Sequence, residues 1–551
     1  MKAAWEKVET WMQRPAVRWG GMAALGAAGV GLVLYATTWG PGIGGDATIY
    51  ITSARNLLAG VGLGLVGPQD EFRLLPYFPP FFSLVLSFLG LFTANLEAAA
   101  RWLNALLMGG LVVLAGLMTV RATRSTLYAW LAAGLTLASP VLMPAAVWAM
   151  SEPLALFLGF ASLGLLLRLW SAGEPSWKAL IIAGVLAGLA FLTRYNAVAF
   201  AAAGGLGLLI FGRPSWKARL RDAAVYGGLA LLPMMIWIAY DLSQTATVAS
   251  RSLLGAGGLG QRFMEFWPDF SAALLFWLVP DAWVYQSPYP GVLNKILPWA
   301  AAAALIGWSL WVGLRLRTRR GAEWEDARRL LALLGIFCGL FLAVTLGVKL
   351  TTYPPITINA RMLSPLHLAV LVAAVGLAWV SGRFAARTAW VQVGLAAALI
   401  LAGLWYARLS LPVAKQYARL GLGYNSAEWR GSELIQAVRA LPEDTLIITN
   451  QETALLALTG RASYPLKEVY LNQGLSEFSR YGDGDLSQDP AQRLFREDGA
   501  ALVLFDQIDD QLAELYGERT EERIRTLVTG LYRALRVEDG GIFYYSEPPQ
   551  P

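Results

Sequence analysis

Cysteine and histidine each occur once in 551 residues, as Cys338 and His367. Cys338 lies inside an apolar run, so no intrachain disulfide can form and any soluble part of the chain must be held by its own core. One histidine excludes metal sites assembled from several imidazoles and argues against a Ser-His-Asp triad. Charge is scarce as well. Asp, Glu, Lys and Arg make up 15% of the chain against 56% hydrophobic residues, too apolar for a soluble protein and too long for one domain. No internal repeat or low-complexity segment occurs, and the glycine-rich stretch 255–260 lacks the preceding strand of a nucleotide-binding fingerprint. The net charge of +6 does not point to nucleic acid, because the basic residues form short clusters between apolar runs and no continuous basic face.

What is present is a series of segments that use lipid as solvent. A crossing needs about 20 apolar residues, somewhat fewer where flanking Arg or Trp can reach the interface. Eleven segments qualify, near 17–39, 98–120, 127–149, 153–169, 179–193, 197–212, 223–241, 292–314, 330–350, 364–381 and 389–409. The first follows Lys2, Lys7, Arg14 and Arg18 and stays uncharged from Trp19 to Gly45, longer than a signal-peptide core, so a retained anchor is expected. A twelfth stretch, 74–96, is interrupted by Pro76, Pro79 and Pro80. Residues 77–93 are therefore expected to form a re-entrant or membrane-surface helix, and 270–280 a second one. Many of the 22 Trp, among them Trp19, Trp39, Trp102, Trp148 and Trp299, stand near segment ends as an interfacial belt.

The positive-inside rule favours eleven crossings over twelve. With a cytoplasmic N-terminus, eleven crossings put Arg121/Arg124, Arg168/Lys178, the 213–221 cluster, the 315–329 cluster and Arg383/Arg387 inside. Stretches 40–97, 150–152, 242–291 and 351–363, and the tail from about Pro412, then lie outside. The tail alternates β-type runs (445–449, 501–505) with amphipathic stretches (432–441, 509–516), which predicts a small α/β fold. The expected organisation is an all-α polytopic membrane domain over 1–411 and a soluble extracytoplasmic α/β domain over 412–551.

Ionisable residues near a membrane are costly, so those that converge on one side are functional candidates. Asp46, Arg73, Glu152, Arg194 and Arg361 all fall on the expected outer face. Asp46 opens a helix-like run, 47–59, with Ala47, Tyr50, Ala54, Leu57 and Leu58 on one stripe and Thr48, Thr52, Arg55 and Asn56 on the other. This predicts an amphipathic helix on the bilayer surface. Asp46 could serve there as a plain N-cap, or as a fixed carboxylate that takes a proton from a bound hydroxyl. Glu152 sits in a turn of a few residues before Pro153, where it either starts a helix or joins Asp46 in orienting an acceptor or sharing a divalent cation. Arg194 and Arg361 read singly as lipid-headgroup anchors, and together as partners of an anionic lipid-linked ligand, since planar guanidiniums match phosphate oxygens. His367, about one and a half turns into the tenth segment, reads as a core histidine or a further site candidate.

The residues Gly45-Asp46-Ala-Thr-Ile-Tyr50, the Ala-Arg-Asn-Leu-Leu-Ala-Gly run that follows, Pro76-Tyr-Phe-Pro-Pro-Phe-Phe-Ser83, Ser151-Glu152-Pro153, Thr193-Arg194-Tyr195 and Arg361-Met-Leu-Ser-Pro365 occur in the order seen in a known family. The pattern resembles the GT-C glycosyltransferases, especially the protein O-mannosyltransferase and lipid A aminoarabinose transferase group, over roughly residues 17–410. The resemblance implies eleven to thirteen spans with juxtamembrane helices in the first outer loop. It also implies a polyprenyl-phosphate-linked sugar as donor, with transfer on the outer face to a lipid, glycan or protein acceptor. Carried over, Asp46 is the general base, Glu152 the second acidic residue, and Arg194 and Arg361 partners of the leaving phosphate, with Tyr50, Tyr195 and His367 as further site candidates. The aminoarabinose transferases place a basic residue just before the paired prolines, where this chain has Phe78, which implies either that Arg73 takes that role or that the donor differs. The acidic pair of metal-dependent members is missing, since Ala47 follows Asp46, and this leaves a Mg or Mn ion on Asp46 and Glu152 an open alternative. A lipid or saccharide transporter, and a non-catalytic subunit that binds a partner through its tail, are the rival readings. Transporters, however, gather their charges at the midplane.

Overall fold

The computed structural model describes residues 10–75, 78–171, 176–245, 252–253, 259–279, 290–353, 356–384, 388–466, 494–506 and 528–547. Among these, eight helices are long and apolar enough to cross a membrane: Pro15–Ala36, Leu96–Thr123, Glu152–Ser171, Trp216–Gln244, Lys295–Leu316, Ala322–Thr351, Ser364–Phe384 and Trp390–Leu420. Shorter apolar helices are Phe81–Gly90, Thr126–Leu137, Trp177–Thr193 and Tyr195–Phe211. The segment expected at 127–149 is not one helix. Thr126–Leu137 ends before Pro140, which has no N–H to donate, and Ser139 Oγ then accepts from the Val141 and Leu142 amides to start a short helix, Leu142–Val147. In the proline-rich first loop, Phe81–Gly90 has 10 residues, a rise of about 15 Å, half the hydrocarbon thickness.

The chain divides into two compact units. The first comprises residues 1–38, 76–85 and 97–419. Its helices approach closely where glycine leaves room. A Cβ on Gly188 would stand 2.5 Å from the Leu229 carbonyl, and one on Gly29 would stand 3.3 Å from Gly109 Cα. Small residues are how membrane helices gain van der Waals contact without a hydrophobic drive between them. Aromatics fill the interior: Phe200 stacks on Phe337 at 4.4 Å, with Phe160 edge-on to both.

The second unit comprises residues 39–75, 86–96 and 420–551. Its five-stranded sheet runs in the order Tyr464–Pro465, Ile447–Thr449, Ala501–Phe505, Gly540–Tyr544, Tyr532–Val537, parallel among the first three strands and antiparallel thereafter. Ala501–Phe505 is buried on both faces, as a central strand of such a sheet must be. The helix Glu433–Ala440 is capped by Ser432 Oγ. The stretch 509–516 lies outside the described residues.

The first loop joins this sheet domain. Tyr424 N–H donates to Ile43 O at 2.8 Å, Asn425 Nδ2 donates to Pro41 O at 2.9 Å, and the helix Gly45–Leu58 packs on the helix Glu452–Thr459. Ala47, Tyr50 and Ala54 are buried, and so are Thr48 and Thr52 on the opposite stripe. The expected surface helix is therefore covered on both stripes up to Ala54, where protein side chains occupy the place assigned to water, while Arg55 and Leu58 at its end are exposed. After it, Gly64–Val66 and Phe72–Leu74 form a hairpin in which a Cβ on Gly64 would stand 1.8 Å from the Arg73 carbonyl. Only glycine fits there.

Candidate functional site

In the first unit the structure brings together Glu152, Arg194 and Arg361, residues scattered over two hundred positions of sequence. Glu152 opens the helix Glu152–Ser171, and the Ser151 carbonyl accepts the Ala155 amide. Arg194 stands where Trp177–Thr193 ends. Its backbone turns extended (φ −149°, ψ 134°) before the 3-10 turn Tyr195–Ala197 starts the next helix, so the chain direction changes at this residue. Arg361 lies in the turn before Ser364–Phe384, which is fixed by Asn359 Oδ1 accepting from Met362 N–H at 2.9 Å.

Glu152 Oε1 is 3.1 Å from Arg194 Nη1 and 3.3 Å from Arg361 Nε. The carboxylate is buried, with a side chain 4% exposed, while the arginine side chains are 23% and 36% exposed. Arg194 Nη1 also donates to Ser151 Oγ at 3.2 Å. Neither Glu152 oxygen has directional hydrogen-bond geometry to a donor among the described residues, so the contact is ionic. The cluster brings two part-exposed guanidiniums to one buried carboxylate, and planar guanidinium edges held in this way suit an oxyanion. Tyr195, next to Arg194, is partly buried.

His367 is 1% exposed in the helix Ser364–Phe384 and packs edge-on against Trp277 at 4.7 Å and over Tyr406 at 5.8 Å. Its ring nitrogens have no hydrogen-bond partner among the described residues. This is the packing expected of a core histidine, and the ring is not part of the arginine cluster.

Asp46, Tyr50 and Arg73 belong to the second unit. Gly44 holds the cap position of Gly45–Leu58, so Asp46 is not the N-cap but the second helical residue, in the first turn where a carboxylate meets the positive end of the helix dipole. Tyr50, four residues on and on the same helix face, is fully buried. Arg73 is the middle residue of the strand Phe72–Leu74 and pairs with Leu65 across the hairpin.

Three supporting groups escape a reading of the sequence. Asn104, 1% exposed in the helix Leu96–Thr123, donates through Nδ2 to Trp148 O at 2.7 Å and to Met150 O at 3.1 Å, and so fixes the segment that delivers Glu152. A polar residue alone in an apolar run was the available signal. Lys349 Nζ reaches Asp269 Oδ2 and Ile356 O, both at 3.1 Å, and Arg262 Nη1 donates to Leu350 O and Thr352 O. These buried cations hold the chain that leads to Arg361. Both stand beside segment ends, where cations read as interfacial anchors. Among the described residues no three His, Cys, Asp or Glu side chains converge as a metal site would require. With two guanidiniums on Glu152, the residues present do not fit a divalent ion there.

Residues 70–242 match the family described as dolichyl-phosphate-mannose-protein mannosyltransferase. No curated protein matches the sequence. The fold is similar to that of ArnT from Cupriavidus metallidurans. The form bound to undecaprenyl phosphate superposes with a TM-score of 0.53 at 15% identity over 98% of this chain and 100% of that one. The apo form gives 0.54 at 13% over the same shares. The archaeal oligosaccharyltransferase AglB from Archaeoglobus fulgidus, in complex with an inhibitory peptide and a dolichol-phosphate, gives 0.50 at 12% identity over 98% of this chain and 75% of that one. Over residues 70–242 the chain thus carries the sequence pattern of that mannosyltransferase family, and its fold is similar to those of ArnT and AglB.

Proposed function

We propose that the chain transfers a sugar from a polyprenyl-phosphate-linked donor to a hydroxyl of a lipid, glycan or protein acceptor on the extracytoplasmic face of the membrane. The observation that carries this reading is the Glu152–Arg194–Arg361 cluster, two guanidiniums gathered on one carboxylate at helix ends. ArnT bound to undecaprenyl phosphate, a relative in fold, supports a lipid phosphate as ligand. A departing polyprenyl phosphate gathers negative charge as the anomeric C–O bond breaks. Fixed guanidiniums of Arg194 and Arg361 stabilise that charge more than they stabilise the intact donor, which is what lowers a barrier. Glu152 keeps the two cations together and restrains them from closing on each other's place. Asp46 takes the proton of the acceptor hydroxyl as general base, and direct displacement inverts the anomeric centre. Arg73 is the candidate contact for the donor phosphate in the first loop. No step requires a divalent ion, so a chelator is expected to leave the rate unchanged.

The sidedness rests on the positive-inside distribution, with the N-terminus cytoplasmic and the sheet domain outside. The test is reconstitution in vesicles with a panel of polyprenyl-phosphate sugars, comparing the wild type with Asp46→Asn. Loss of a positioned base is expected to lower transfer by about 10²- to 10⁴-fold. Equal transfer by the two proteins removes Asp46 from the role of base, and no transfer from any donor by the wild type removes the enzymatic reading.

A further inference from the structure

A second set of cations stands at the opposite membrane interface from Glu152. Arg168 ends the same helix that Glu152 begins, sixteen residues on and so about 24 Å away. The helices Leu96–Thr123 and Glu152–Ser171 run side by side in one direction. Gly110 abuts Phe157 and Met118 abuts Gly164, so Arg121 and Arg168, about one turn further on, stand at the same level. Both are exposed, and neither donates to any group among the described residues. Their charges act on each other. The nearby carboxylate does not answer both. Asp326 is buried and engaged with Arg124 at 3.2 Å, with Ser171 Oγ at 2.8 Å and, at 3.8 Å, with Arg329. Arg18, at the same end of its helix, donates to Thr126 Oγ1.

An apolar groove of about 440 Å³ lies on the same helices, its lining ending at Leu117, one turn short of Arg121. Its walls include Gly26 and Val30 of Pro15–Ala36, Leu106, Val113 and Leu117 of Leu96–Thr123, and Phe157 of Glu152–Ser171. From Leu106 to Leu117 is a rise of about 16 Å, and Arg121 continues that stripe one turn beyond Leu117. A hydrocarbon-lined groove with two exposed guanidiniums a turn or more beyond it, and the nearby carboxylate already engaged elsewhere, has the chemistry of one lipid molecule, with a chain along the groove and a phosphate near the arginines.

We propose that Arg121 and Arg168, with this groove, bind an anionic phospholipid of the leaflet opposite the Glu152 cluster. The site is separate from the donor site and does not rest on the catalytic reading. The test uses delipidated protein in neutral detergent and fluorescent phosphatidylglycerol, with phosphatidylcholine as the uncharged-headgroup control. Phosphatidylglycerol is expected to bind roughly 30-fold tighter, and Arg121→Gln/Arg168→Gln to remove that difference, as two interfacial arginines imply. Ala27→Trp, which fills the groove from an exposed wall position, is expected to weaken phosphatidylglycerol binding while both arginines remain. The proposal is overturned by equal binding of the two lipids, by a folded double variant that keeps the preference, or by an Ala27→Trp protein that binds as the wild type does. Displacement of phosphatidylglycerol by millimolar inorganic phosphate overturns it too, since that marks an ion site without a chain. If the double variant does not fold, the groove variant and the lipid comparison decide.

Discussion

Glu152→Gln keeps the shape of the side chain and removes the charge that two arginines share. It is expected to cost about 3 kcal/mol of stability, near the low end for a broken buried pair because the arginines are part-exposed, read as a lowered denaturation midpoint in detergent. Arg361→Lys keeps the charge but loses the planar donor edge, so it should raise the donor KM more than it changes the midpoint. A fall in the midpoint without any change in donor kinetics would make Arg361 a structural residue only. Among single residues, the membership of this cluster was legible from Ser151-Glu152-Pro153, Thr193-Arg194-Tyr195 and the turn before residue 365, because charges at the ends of apolar runs have few places to go. That Glu152 faces both arginines was not legible, since a contact across two hundred residues leaves no periodic trace. Asn104 escaped for a related reason: a lone amide in an apolar run shows that it needs a partner but not which carbonyls will accept from it.

Elements follow local chemistry most closely where one rule dominates. The strand Ala501–Phe505 and the helix Glu433–Ala440 fall where a β-type apolar run and amphipathic spacing put them. The helix Thr126–Leu137 stops short of the expected crossing because Pro140 outweighs the apolar composition around it. The second unit also contains a device that composition could not reveal. Arg461 donates to the carbonyls of Val438, Leu441, Pro442 and Thr445, the last acceptors of Glu433–Ala440 and the turn after it. Arg461→Ala is expected to destabilise that unit by about 2 kcal/mol, since hydrogen bonds from a charged donor are worth more than neutral ones, and Arg461→Lys should not restore it because three point donors cannot span those carbonyls. Thermal unfolding followed by near-ultraviolet dichroism measures both, and a silent Arg461→Ala would show the carbonyls to be as well served by water.

For the molecule as a whole, sidedness is open to direct test. Cys338→Ala gives a background without cysteine, in which Arg320→Cys and Arg439→Cys can be compared in intact cells. An impermeant maleimide is expected to label residue 439 and to spare residue 320, and the reverse pattern would invert every assignment of inside and outside. The sheet domain was legible as a separate α/β body, whereas its union with the first loop was not, because hydropathy reports each segment's solvent and not its partner. That union sets an order of events. The helix Gly45–Leu58 is synthesised early, yet Glu452–Thr459, on which it packs, follows about 400 residues later. At ribosomal rates of about 5–20 residues per second, the loop waits roughly 20–80 seconds for its other half. A nascent chain halted before residue 420 would therefore carry its anchors with Gly45–Leu58 lacking the helix on which it packs, and quality-control proteases would meet the first loop as an unfinished fold.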